Sequence, residues 1–154
     1  MYQILLPLHS VTRWLVLLSL LFAIYRGYRG WLGNKPYTTI DNGARLFAVN
    51  IAHIQLVIGI WLYFISPIVN YFLHNFKEAV HERQIRFFGM EHITMMIIAI
   101  VFITIGSAKA KRKTTDNDKF KTMAIWFTIS LFLIFTSIPW SFSPLISRPL
   151  LRWF

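Results

Sequence analysis

Two histidines, His9 and His92, stand near matching ends of two separate apolar runs. An imidazole is costly to bury in a bilayer, so two at one depth point to a shared ligand, and two facing imidazoles in a helix bundle suit the iron of a haem. Arg13 follows His9 by four residues and therefore shares its helical face one turn deeper. A lone arginine at that depth needs a partner. Two are available: Glu91, the only acidic residue within an expected span, or a propionate of the cofactor, and the sequence leaves both open. The residues expected to hold a haem b are thus His9 and His92 as iron ligands, with Arg13, Glu91 and His53 in the surrounding shell.

His53 lies in another run, roughly 10 Å deeper than the other pair, and no second histidine faces it there. It has three readings: a ligand with Met95 or Met96, part of a quinone or proton site with Asn50, or a packed histidine with its hydrogen bonds satisfied. Beside it, Ala48, Ala52, Gln55 and Gly59 form a small-residue seam of the kind that lets helices approach closely. A further pattern, His74, Glu78 and His81, falls on one face if Tyr71–Arg83 is helical. Three such ligands resemble a zinc shell, but an amphipathic interfacial helix explains them as well. The chain has no cysteine, which removes disulfides, thiolate metal sites, iron–sulfur clusters and covalent haem attachment. Any redox role must rest on histidine, methionine or carboxylate.

The elements that position these residues follow from hydropathy. With 56% of residues hydrophobic and the charged ones clustered between long apolar runs, this is the composition of an integral membrane protein. Four runs, Ile4–Tyr25, Leu46–Ser66, Phe87–Ser107 and Thr122–Trp140, each approach the ~20 residues needed to cross a ~30 Å hydrocarbon core. The first has no basic residue ahead of it and no small-residue cleavage site after it, so it reads as a span and not a signal peptide. Gly27–Gly43, rich in turn formers, is expected to be an interfacial loop anchored by Trp31 and Tyr37. Short connections predict one domain over 1–154, an all-α, antiparallel, up-and-down four-helix transmembrane bundle. In such a bundle the first and third helices lie diagonally across the core, which would bring His9 and His92 together. On the third, Gly89, Met96, Ala99 and Gly106 recur with His92 at helical spacing, a small-residue face with room for a flat ring.

Basic residues concentrate in two connections, Arg26, Arg29, Lys35 and Arg45 in one and Lys109, Lys111, Arg112, Lys113, Lys119 and Lys121 in the other. The positive-inside rule puts both in the cytoplasm and both termini outside. The net charge of +10 is explained by these membrane-flanking positions, so nucleic acid is not an expected partner.

The segments Leu8-His9-Ser10-Val11-Thr12-Arg13-Trp14, Ala52-His53-Ile54-Gln55-Leu56-Val57-Ile58-Gly59 and Met90-Glu91-His92-Ile93-Thr94-Met95-Met96 resemble a group of short bacterial four-helix membrane proteins labelled cytochrome-b-like. The likeness covers essentially the whole chain and implies a b-type haem, the bacterial inner membrane and a respiratory setting. A more distant likeness is to the four-helix halves of haem A synthases, which also hold haem by histidines from different helices. Here Glu91-His92 is not followed by the arginine of that family, so haem modification is not implied.

Three functions follow as expectations. The first is a b-type cytochrome, alone or as a subunit of a respiratory oxidoreductase, passing single electrons between a membrane quinol and a redox partner. A haem-free accessory subunit that binds other membrane proteins is the rival, motivated by 17% aromatic residues and a tail at 141–154 with Pro144, Pro149, Trp153 and Phe154. A proton path through His53, Glu91 and His92 is the third, weakened because no span is broken by proline or paired glycines at mid-membrane.

Overall fold

The computed structural model describes residues 1–140, so the expected role of the tail at 141–154 lies outside the described residues. Seven helices and one π turn follow in order: α1 (Tyr2–Leu32), α2 (Thr39–Ile65), α3 (Pro67–His74), α4 (Phe76–Ala79), α5 (Arg83–Arg86), the π turn (Phe87–Glu91), α6 (His92–Arg112) and α7 (Asp116–Thr136). Four continuous stretches, 2–32, 39–65, 83–112 and 116–136, are long and apolar enough to cross a membrane. They pack as an antiparallel bundle in which α1 touches α2 and α7, and α6 touches α7 and, less extensively, α2. The first and third spans are therefore the diagonal pair. We call the end with the N terminus and residues 66–91 the upper end, and that with 33–38 and 113–115 the lower.

The bundle is built as lipid-immersed helices require. Large apolar side chains such as Leu18, Phe22, Phe64 and Phe132 point outward, while the interior collects small and weakly polar ones, including Ala23, Ala48, Ala52, Ala99, Ser19, Ser107 and Ser130. Lipid tails are as apolar as leucine, so helix association depends on close packing and interhelical hydrogen bonds.

The largest departure from the sequence reading is at the lower end of α1. Gly27 and Gly30, expected in a loop, lie inside the helix and serve close approach to α7. A β-carbon at Gly27 would stand 3.1 Å from the β-carbon of Ala124, and one at Gly30 would lie 2.4 Å from the Phe120 ring. The true connection is only 33–38, where Asn34, at φ 46°, takes the left-handed conformation that ends many helices, and Lys35 N–H donates to the Gly30 carbonyl at 3.1 Å. The second span also starts earlier than hydropathy suggests. Asp41, at the third helical position, accepts the Thr38 N–H at 2.8 Å and binds Arg26 Nε at 2.7 Å, while Arg45 reaches the Ser107 hydroxyl and Asn42. These charges enter the helix because they are paired. Trp31 stacks on Tyr28 and Tyr37 packs on Phe120, so both aromatics close the lower end of the bundle.

At the upper end, the expected helix over Tyr71–Arg83 is divided. α3 stops at His74, and Asn75, at φ −127° and ψ 43°, breaks the helical path before α4. His74, Glu78 and His81 consequently do not gather, and no group of three potential metal ligands occurs among the described residues.

Candidate functional site

His9 comes from the upper part of α1 and His92 from the first position of α6. Across the diagonal their ring centroids are 6.5 Å apart, with planes at 74°. Two imidazoles sharing one metal at ~2.0–2.1 Å, each with its ring centre about 1.15 Å behind the ligating nitrogen, have centroids about 6.3 Å apart. The observed centroid spacing is close to that of two such rings on opposite sides of one metal.

Each ring is held from behind. His92 Nδ1 lies 2.9 Å from the carbonyl of Ser137, just past the end of α7. An Nδ1–H donating to a carbonyl leaves the lone pair on Nε2, the tautomer a metal-binding histidine needs. On the opposite side, His9 Nδ1 is buried with no hydrogen-bond partner among the described residues, and Gly59 of α2 presses on the same ring edge, its hypothetical β-carbon only 3.1 Å from Cε1. His92 is left by its carbonyl contact with Nε2 as its free lone-pair nitrogen, and both rings line one cavity. Gln55 fixes the local backbone of α1, donating to the His9 carbonyl at 2.9 Å and accepting from the Thr12 hydroxyl.

That cavity is about 210 Å³, lined mainly by aliphatic side chains from α1, α2, α3, α6 and α7, with polar groups that include His9, Ser10, Arg13, Gln55 and His92. The chemistry of the donor set suits a planar ring system held by imidazoles: two histidines with ring centroids 6.5 Å apart, small residues at Ala52 and Gly59, and a cation, Arg13, on the wall.

The remaining candidates separate. Arg13 points Nη2 toward the Ser10 hydroxyl at 3.5 Å and lies over the Trp14 ring at 5.5 Å. Glu91 does not meet it, and is bound to Arg86 Nε at 2.7 Å. The π turn accounts for this choice, because residues five apart on an ordinary α-helix point about 140° away from one another, whereas the wider i→i+5 closure brings them together. Gly89 permits that turn to sit against α3, since a β-carbon there would fall 2.3 Å from the Phe72 ring. His53 is engaged at both nitrogens, Nδ1 with the Val49 carbonyl at 2.8 Å and Nε2 with the Thr104 hydroxyl at 3.2 Å, and it does not line the cavity.

Residues that the sequence did not single out complete the site: Ser137, through its carbonyl, and Tyr63, whose hydroxyl donates to the Gly89 carbonyl at 2.9 Å. Neither carries a motif. The chain matches no family model, no curated protein and no solved structure.

Proposed function

We propose that the protein is a b-type membrane cytochrome in which His9 and His92 are the axial ligands of one haem, and that it passes electrons from the quinol pool of a bacterial inner membrane to a redox partner. The observation that carries this reading is the imidazole pair, 6.5 Å between centroids across the bundle diagonal, both rings on one cavity. Interhelical glue would not need it, because the two rings share no hydrogen bond among the described residues and each is braced by a different element.

The chain's own groups divide the work. His92 is oriented by the Ser137 carbonyl and His9 by contact with α2 at Gly59, so both rings are preorganised. Arg13, on the cavity wall, supplies the positive charge that a carboxylate-bearing ring system requires in a low-dielectric setting. The aliphatic walls exclude water. A haem so ligated supplies one-electron transfer and offers no open iron position for oxygen. The basic connections at the lower end support a cytoplasmic lower end under the positive-inside rule, and with it a site in the outer half of the membrane.

The test is a pyridine haemochrome assay on the purified protein with His9→Ala, His92→Ala and His53→Ala. Haem b in the wild type and in His53→Ala, with loss in the other two, supports the reading. A colourless wild type purified from haem-replete cells overturns it in favour of the accessory-subunit role.

A further inference from the structure

A second cavity, of about 190 Å³, lies at the lower end of the bundle, away from the histidine pair, and its wall is charged: Arg26, Arg29, Lys35, Thr38 and Asp41 line it, with the Phe120 ring. The carboxylate is already engaged. Asp41 Oδ1 binds Arg26 Nε at 2.7 Å, and Oδ2 accepts the Thr38 N–H at 2.8 Å and the Thr38 hydroxyl at 2.6 Å. Arg26 uses only Nε in this pairing, so its two terminal nitrogens have no hydrogen bond among the described residues. Arg29 and Lys35 make no ion pair and no side-chain hydrogen bond among the described residues either. The cavity therefore carries a surplus of two positive charges with no protein acceptor to meet them.

Other cations of the same end are matched. Lys119 binds Asp116 at 3.3 Å, Lys121 lies over the Trp31 ring at 5.6 Å, Lys109 lies over Trp126 at 4.7 Å, and Arg45 is buried against Ser107 and Asn42. The positive-inside bias accounts for the number of basic residues here, but a charge that only sets topology has no need of a cavity. Lys35 is held at this one by its backbone, since its N–H donates to the Gly30 carbonyl at 3.1 Å and folds the connection 33–38 onto the last turn of α1, where Arg29 sits. Arginine and lysine donors converging on one space suit an anion with several oxygens, and a phosphate presents them on more sides than a planar carboxylate. Depth points the same way. Tyr28, Trp31 and Tyr37 belong to this end, and such aromatics mark the headgroup layer, where basic pockets between helices meet lipid phosphates. We propose that this cavity binds a phosphate group, held by Arg29 and Lys35 with the terminal nitrogens of Arg26. The headgroup depth favours an anionic lipid as its source over free phosphate.

The test is native mass spectrometry of the full-length protein in detergent, titrated with phosphatidylglycerol. Lipid should be retained above the level given by zwitterionic phosphatidylethanolamine. Arg29→Gln combined with Lys35→Gln should weaken that retention at least about tenfold, as the loss of two charge-assisted contacts implies. Both side chains are exposed and unpaired, so this variant should keep the melting midpoint of the lipid-free wild type. Lys111→Gln combined with Lys113→Gln removes the same charge from the same end at exposed positions outside the cavity, and should leave retention unchanged. Inorganic phosphate, titrated alone against the melting midpoint, is the second arm. If it stabilises the wild type and not the Arg29→Gln, Lys35→Gln variant, while phosphatidylglycerol shows no preference over phosphatidylethanolamine, the site stands with soluble phosphate as its source. Equal weakening by the two double variants, or no effect of either probe on the wild type, overturns the site. Neither arm reads haem, so a colourless protein that passes keeps the site, and a haem-loaded protein that fails loses the site alone.

Discussion

Gly59 has no chemistry of its own, yet its replacement should disable the site. A β-carbon at this position lies 3.1 Å from His9 Cε1, about 0.4–0.9 Å inside the usual 3.5–4.0 Å separation of carbon atoms. Alanine can be accommodated if the ring yields by a few tenths of an ångström. Leucine adds three more carbons, and the ring can retreat only into the cavity toward His92, which the Ser137 carbonyl holds in place. Overpacking of this kind costs about 1–3 kcal/mol, which corresponds to roughly 5- to 150-fold weaker haem binding. Haem titration of apoprotein in detergent, followed at the Soret band, should therefore rank wild type, then Gly59→Ala, then Gly59→Leu, with His9→Ala weakest. Gly43→Leu is the control, since a β-carbon there meets nothing within 4 Å. If Gly59→Leu binds as tightly as wild type while His9→Ala does not bind, the His9 ring is not braced by α2 and the description of its setting fails.

Asp41→Ala removes both the Arg26 ion pair and the acceptor for the Thr38 N–H. Breaking a buried pair costs about 3–5 kcal/mol, and the partial exposure of Arg26 places the loss near the lower figure; an unchanged midpoint of reversible unfolding would contradict it. His53→Ala should destabilise the bundle by about 1–2 kcal/mol through its two hydrogen bonds, with the haem spectrum intact, and a bleached spectrum would move His53 into the site. Because the chain lacks cysteine, single cysteines at Asn75 and Asp116 report topology directly. Position 75 should react with an impermeant maleimide from outside and position 116 only after lysis, and the reverse pattern would invert the bundle.

The spans and their alternation were legible in the sequence, because an apolar run of ~20 residues bounded by charge has the length a helix needs to cross the hydrocarbon core. The meeting of His9 and His92 was foreshadowed too, since equal depth on the first and third helices of an up-and-down bundle means proximity. Gly27 and Gly30 were misassigned because glycine marks turns in water-soluble chains, whereas between membrane helices it marks close backbone approach. Asp41 and Arg45 escaped because hydropathy ends a span at the first charge and cannot see that Arg26 and Ser107 are waiting opposite. The pairing of Glu91 with Arg86 instead of Arg13 was hidden for a different reason: helical-wheel spacing assumes 3.6 residues per turn, and the π turn at Phe87–Glu91 departs from it. The Ser137 carbonyl could not be found at all, as a backbone acceptor leaves no trace in residue type.

The most direct measurement is low-temperature electron paramagnetic resonance of the oxidised protein, which reads iron ligation and the relative orientation of the ligand planes. Imidazole planes at 74° predict a low-spin ferric signal of the highly anisotropic type given by near-perpendicular ligands, lost or converted to high spin in both His9→Ala and His92→Ala. A low-spin signal that survives either substitution, or the absence of any haem signal from the wild type, would contradict the assignment of His9 and His92 as a shared ligand pair.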